Sequence, residues 1–347
     1  MPLETFANRI RPLNLALQGG GSHGAFTWGA LDRLLQEPGL IFEAVSGTSS
    51  GAINAAVMAQ GIMDGGREGG RAALAQFWNQ VAAGGVQALA YTGYQPDWMT
   101  SAAMVSPVVA TLLRLTREFS PYQINPFGLN PLRDLLESSI RFDLLREKSP
   151  LKLFVSATEV RTGKLRIFRT PELNADVLLA SSCLPSIHHA VMIDGEPYWD
   201  GAFTGNPPVF PLLFECDVAD VMVIVIQPWR RAILPLTSEE IRARTLELAF
   251  SSAFLREMRA ITMSKQHISE NRWLRGDLER RLERLNIHLL QDAQLQSRLN
   301  LNTRVNSLPT FITGLHGLGF AAAESWLESH FHAIGECSTV DLEQAFA

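Results

Sequence analysis

Leu13-Asn14-Leu15-Ala16-Leu17-Gln18-Gly19-Gly20-Gly21-Ser22-His23-Gly24 is the stretch that decides the fold. Its apolar start predicts a short strand that runs into a glycine cluster. From Ala25 to Leu35 the spacing of Phe26, Leu31, Leu34 and Leu35 predicts a helix. Strand, glycine-rich turn and helix in that order make one α/β unit. The same order follows at once. Leu40 to Val45 predicts a second strand, Gly47-Thr48-Ser49-Ser50-Gly51 a tight turn, and Ala52 to Gln60 an alanine-rich helix closed by Gly61.

Farther out the pattern loosens. Glycines and prolines between Gly65 and Pro150 predict short helices and loops. Strands return at Leu151–Val160 and Leu165–Phe168, with a hairpin turn at Thr162-Gly163. Val221 to Ile226 is a continuous apolar run, which predicts a fully buried strand. Beyond Pro235 the chain reads as helical, with Phe250, Phe254, Met258 and Ile261 on one stripe and Leu274, Leu278, Leu282 and Leu285 on another. Asn286–Leu290 predicts a last strand and Gly319–His332 a last amphipathic helix.

The composition narrows the classes. With 347 residues and 46% hydrophobic content the chain can bury a large core, so bulk disorder is excluded. Thirty Lys+Arg against 35 Asp+Glu, a net charge of −5, leaves no global field for a polyanion, so a nucleic-acid partner is not expected. The 3 cysteines, Cys183, Cys216 and Cys337, have no CxxC spacing and read as buried thiols of a reducing compartment. No secretory or spanning segment is visible, and a cytoplasmic location is the expectation. The basic excess between Arg230 and Arg284 reads as solvated helix faces, with an anionic lipid surface as the alternative.

Three local patterns carry chemistry. In Gly47-Thr48-Ser49-Ser50-Gly51, a sharp strand-to-helix turn aims a serine hydroxyl, and the flanking glycines remove colliding side chains. Ser49 then sits at a helix N-terminus, which favours developing negative charge. The Gly19–Gly24 loop exposes backbone N–H groups that suit a phosphate or an oxyanion. A dinucleotide site is a weaker alternative: Gly19, Gly21 and Gly24 formally match G-x-G-x-x-G, and Glu43 stands as the ribose-binding acid. No Walker motif is present, which counts against an NTPase. Tyr198-Trp199-Asp200-Gly201-Ala202 places an acid in a turn, after the small-residue run Ala180-Ser181-Ser182-Cys183-Leu184-Pro185.

Together these three patterns resemble the patatin-like phospholipase family, whose ordered signature is G-G-G-x-[RK]-G, G-x-S-x-G and D-G-[GA]. The likeness spans roughly residues 12–213, with 214–347 as a mostly helical extension docked on that core. It implies a three-layer α/β/α fold with a mainly parallel central sheet, a patatin-type variant of the α/β-hydrolase theme. It also implies hydrolysis of lipid acyl esters. By resemblance Ser49 is the nucleophile and Asp200 the general base. The N–H groups of Gly20 and Gly21 form the oxyanion hole, shaped by Gly19 and Gly24, while Gly47, Gly51 and Gly201 complete the motifs. His23 departs from the pattern, because it stands where the family has Arg or Lys. No metal or other cofactor is implied.

Other arrangements stay open on sequence alone. A Ser-Asp-His triad could draw on His267, His288, His316, His330 or His332, which all follow Asp200. An esterase acting on non-phospholipid esters, acyl transfer and a catalytically silent lipid-binding module are further alternatives. Ala102–Leu115 with Tyr91, Tyr94, Trp98 and Met99 is a candidate lid or interfacial patch, so peripheral membrane association is a second expectation. Head group, chain length and oligomeric state have no sequence signal.

Overall fold

A computed structural model of the chain describes residues 10–90, 118–227, 229–231, 233–270, 276–292, 295, 299 and 302–347. The proposed lid residues Tyr91, Tyr94, Trp98, Met99 and Ala102–Leu115, and Leu274 of the second stripe, lie outside the described residues.

The strands are β1 (Arg11–Leu17), β2 (Leu40–Thr48), β3 (Lys152–Glu159), β4 (Leu165–Arg169), β5 (Val191–Ile193), β6 (Glu196–Asp200), β7 (Asp220–Val225) and β8 (Asn286–Gln291). Among the described residues all 8 join one sheet in the order β5-β6-β3-β2-β1-β7-β8, with β4 added on β3. The five strands from β3 to β8 along that path run parallel, while β4, β5 and β6 are antiparallel additions. The main helices are α1 (Gly24–Gln36), α2 (Ser50–Ala90), α3 (Leu132–Ser139), α4 (Phe142–Lys148), α5 (Ala175–Ser181), α6 (Phe210–Glu215), α7 (Ser238–Glu270), α8 (Asp277–Arg284) and α9 (Pro309–His330).

Strand periodicity divides the core between two faces. Leu13, Leu15 and Leu17 of β1 and Met222 and Ile224 of β7 pack with α1, α2 and α9 on one side. Ala16, Val221, Val223 and Val225 point the other way, onto α6, α7 and α8. Side chains two apart share a face, so a fully apolar strand feeds both layers at once. The result is the expected three-layer α/β/α architecture. The Phe250, Phe254, Met258 and Ile261 stripe is buried as its spacing predicts.

Several expectations need correction. Helix α2 does not end at Gly61. Its helical dihedrals break only at Gly65 and Gly66, where Gly66 has φ +61°, and the second segment folds back along the first. A Cβ at Gly61 would meet the Gly69 carbonyl oxygen at 2.3 Å, so Gly61 serves close packing inside this helical hairpin rather than termination. Gly84-Gly85 likewise lies within helix. Cys183 and Cys216 are buried, but Cys337 is exposed. Glu43 accepts from Lys152 and from the amides of Asp217 and Val218, so it is engaged in tying β2 to its neighbours. In the basic segment, Arg231 and Arg244 pair with Glu247, and Lys265 donates to carbonyls of Leu282, Glu283 and Leu285. Those cations are engaged internally.

A boundary after residue 213 cuts through the sheet. β7 lies directly beside β1, and β8 extends the sheet further. α9 packs on α1 at nearly backbone contact. A Cβ at Gly29 would come 1.9 Å from the His316 carbonyl oxygen, and one at Gly319 would come 1.9 Å from that of Phe26. Replacing Gly319 by Val should therefore push α9 off α1 and lower stability by about 1–3 kcal/mol or more. A urea midpoint equal to that of the wild type would contradict this packing.

Candidate active site

The site is assembled along one edge of β3. β4 occupies one edge of β3, over Phe154–Thr158. β2 pairs with the opposite edge as far as Thr48↔Ser156, and β6 takes up the same edge at Ala157↔Asp200. The residue that follows β2 and the residue that ends β6 are thus brought together by consecutive positions of a single strand. Side chains pin the junction. The Thr48 hydroxyl lies 2.7 Å from that of Ser156 and donates to the Gly205 carbonyl at 2.6 Å. The Thr158 hydroxyl donates to the Asp200 carbonyl at 2.8 Å.

Ser49 occupies the turn between β2 and α2 with φ +54°, a left-handed conformation that non-glycine residues adopt only when their surroundings enforce it. The enforcement is steric and polar. A Cβ at Gly51 would meet the Leu17 carbonyl oxygen at 2.2 Å, and one at Gly47 would meet the Ala52 nitrogen at 2.6 Å. The Ser49 N–H donates to the Ser181 hydroxyl at 2.9 Å.

Asp200 is held from the same side. Its N–H donates to the Cys183 carbonyl at 2.9 Å, and its carboxylate accepts from the Ala202 N–H at 2.8 Å. The small-residue run at the end of α5 therefore fixes both residues: Ser181 holds Ser49, and Cys183 holds Asp200. The Ser49 hydroxyl lies beside the Asp200 carboxylate and favours its ionised form as a hydrogen-bond donor. Gly201 is required because a Cβ there would sit 2.3 Å from the Ser156 hydroxyl oxygen.

Asp200 is only 2% exposed. Burial pushes its carboxyl up to about 7, against the opposing pull of the Ala202 N–H, the Ser49 hydroxyl and the Arg304 charge. A carboxylate raised this far can take a proton from a hydroxyl more readily than one in the ordinary range. The Cys183 thiol is pushed up to about 12 by burial and by the adjacent Asp200 charge, so it stays neutral.

The Gly19–Gly24 loop faces this pair. The Gly19 N–H donates to the Asn206 side chain at 2.7 Å, and the Gly24 N–H turns back onto the Gly21 and Ser22 carbonyls. The Gly20 N–H donates to the Ser50 hydroxyl at 3.1 Å. Of the four loop glycines, Gly21 alone has an amide with no acceptor among the described residues. Gly19, Gly20, Gly21, Ser49 and Asp200 line one cavity of about 280 Å³. Its other walls are largely apolar, from Ile53, Phe77, Trp78, Leu184, Ile187 and Phe250.

His23 does not line that cavity. It is buried, its Nε2 lies 2.8 Å from the Thr303 hydroxyl, and burial with the nearby Arg304 charge lowers its pKa to about 3. The imidazole is neutral at any working pH. Of the histidines after Asp200, His288 bonds to Asp220 and His316 to Asp32, both away from Ser49. His188 lines the cavity but precedes Asp200 in the chain.

Asn206, Gln227 and Arg304 hold the site without being singled out in the sequence, while Ser50 and Ser181 belong to stretches that are singled out but without their bonding roles. Gln227 follows the apolar run of β7, just as Ser49 follows β2. A polar residue at the carboxyl end of a buried parallel strand is a usable signal, since ligands bind at those ends. For Arg304 no local signal exists.

The model of the patatin-like phospholipase family matches residues 15–213 of this sequence, more than half of the chain. The chain belongs to this family. Its substrates are accordingly lipid esters, and its activity is lipid acyl hydrolysis in the general sense of the family. The comparison with curated proteins finds no match. Among solved structures, VipD from Legionella pneumophila is similar at 15% identity and a TM-score of 0.38, over 93% of this chain and 67% of that one. No described helix is long and apolar enough to cross a membrane. Among the described residues no cluster of three or more His, Cys, Asp or Glu could hold a metal ion.

The raised carboxyl at position 200 has a consequence for stability. Its contribution is fully present below the unfolded pKa near 3.8 and is lost as pH rises through about 7. Ionised Asp200 thus weighs against the fold at neutral pH. Asp200→Asn should melt higher than the wild type at pH 8, by at least about 2 °C, with the gap closing toward pH 4. Thermal scans across pH check this, and a variant that melts lower at pH 8 would contradict it.

Proposed function

We propose that this patatin-like protein hydrolyses carboxylic esters of phospholipids or lysophospholipids through Ser49 and Asp200. The observation that carries the proposal is the pairing of a strained, cavity-facing serine with a buried carboxylate of raised basicity.

Asp200 accepts the hydroxyl proton as the Ser49 oxygen attacks the ester carbonyl carbon. An aspartate is a far weaker base than an alkoxide, so proton transfer has to be concerted with attack, and the developing oxyanion needs donors at once. The Gly21 N–H is the first of these. The Gly20 N–H joins it when the substrate oxygen takes the place of the Ser50 hydroxyl. The start of α2 adds its positive end. Collapse of the tetrahedral species breaks the bond to the leaving alcohol, which takes the proton from Asp200. Water then repeats the sequence on the acyl-serine, with Asp200 again as base, and releases the fatty acid.

The apolar cavity walls suit an acyl chain. Peripheral docking at a lipid surface belongs to the same proposal. The segment leading to the cavity-lining Leu132 exposes Phe119, Tyr122, Phe127 and Leu129, and this supports contact with a membrane interface.

Ser49→Ala and Asp200→Asn should each lower kcat on a nitrophenyl ester by at least about 10³-fold while staying folded. A fluorophosphonate probe should label the wild type at Ser49, and EDTA should leave turnover unchanged. Folded Asp200→Asn with near-normal turnover ends the two-residue mechanism. Lipid profiling of wild type against Ser49→Ala identifies the head group.

A further inference from the structure

We propose that Arg304, brought in by the C-terminal region, is the positioning residue that holds Asp200 in its ionised, proton-accepting state and braces the glycine loop. The inference rests on the Ser49–Asp200 reading of the site and assigns to it a residue outside the segment that the family model matches.

The geometry starts at the loop. The Arg304 backbone is packed so close to Gly21 that a Cβ there would meet its carbonyl oxygen at 2.4 Å. The guanidinium lies 4.9 Å from the centroid of the Phe250 ring and donates to the Gln227 side-chain oxygen at 2.6 Å. The Gln227 side-chain nitrogen in turn donates to the Gly19 carbonyl at 2.5 Å. Arg304, Gln227 and the Gly19–Gly20 peptide thus form one chain of polarised groups, which strengthens the Gly20 N–H as a donor.

The charges around Asp200 leave this role to Arg304. Among the described residues that line the cavity, Arg304 is the sole cation. His23 behind the loop and His188 across the cavity are both driven toward neutrality by burial, and Cys183 stays a thiol. Glu247 on α7 also faces Arg304, but it is paired with Arg231 and Arg244. The Arg304 charge acts on Asp200 in the direction of ionisation, and Asp200 acts back on Arg304. His23 occupies the family's basic position without carrying charge. The cation comes instead from a segment more than 280 residues away in sequence.

The base works only when ionised, so activity falls as pH drops through its pKa. Removing a nearby cation raises that pKa and moves the acidic limb of kcat/KM to higher pH.

The test uses the full-length chain and a neutral, short-chain nitrophenyl ester, so that no charged head group can report on Arg304 directly. Arg304→Gln should move the acidic limb up by about one pH unit. Arg304→Lys should restore the wild-type limb. Gln227→Glu keeps the arginine but sets an anion against it, and should also shift the limb upward. This second variant decides the matter if Arg304→Gln does not fold. Acidic limbs that coincide with the wild type in whichever of Arg304→Gln and Gln227→Glu folds would overturn the proposal. So would an Arg304→Lys limb that stays with that of Arg304→Gln. Full turnover by Ser49→Ala would instead remove the underlying mechanism, whatever the pH profiles show.

Discussion

Strand β3 is the constraint on which the site depends. It is long enough to give one edge to two different strands, β2 below and β6 above. Ser49 leaves the first of these and Asp200 ends the second. Their separation in sequence is therefore irrelevant to their separation in space, because it is set by the rise between neighbouring residues on β3. The hydroxyls of Thr48, Ser156 and Thr158 lie at this junction and share the carbonyls of Gly205 and Asp200. A slip of one residue in either pairing would turn the carboxylate away from the serine.

Around that junction the protein places several features that count against stability by themselves. A serine holds positive φ, a carboxylate is buried at raised pKa, and the Gly21 amide has no acceptor among the described residues. Each is tolerated because the surrounding sheet is buried on both faces and leaves no room to relax. The glycines at positions 47, 51 and 201 let backbone approach backbone closely enough to lock the geometry. Strain and packing are in this sense parts of one arrangement.

Much of the fold was legible in the residues. β1 and its glycine loop, β2 and its serine turn, the β3–β4 hairpin and the buried β7 all stand out, because apolar period and turn glycines are local signals. The glycine at position 61 misled for a physical reason. A glycine can end a helix or let two helices touch, and only the presence of Gly69 opposite it decides which. The motif-bearing residues were equally visible, since their glycines are needed sterically. Their supports were not. Ser181, Asn206 and Gln227 act through single hydrogen bonds to backbone groups far away in sequence, and nothing in their spacing announces the partner.

The C-terminal region is the clearest case of information that is not local. The family model stops at residue 213, yet β7 is inside the sheet and the 3-10 turn at Asn302–Val305 abuts the glycine loop. Two glycines, at 29 and 319, let α9 settle on α1, the helix that begins at the end of that loop. Residues beyond the motif-bearing part thus fix the loop from behind while Arg304 enters the cavity wall. A core cut at the family boundary would lack a strand neighbouring β1, the helix against α1 and the half-buried cation together. The neutral histidine at position 23 is then consistent with its surroundings: a charged side chain there would be buried away from water and would meet the Arg304 cation.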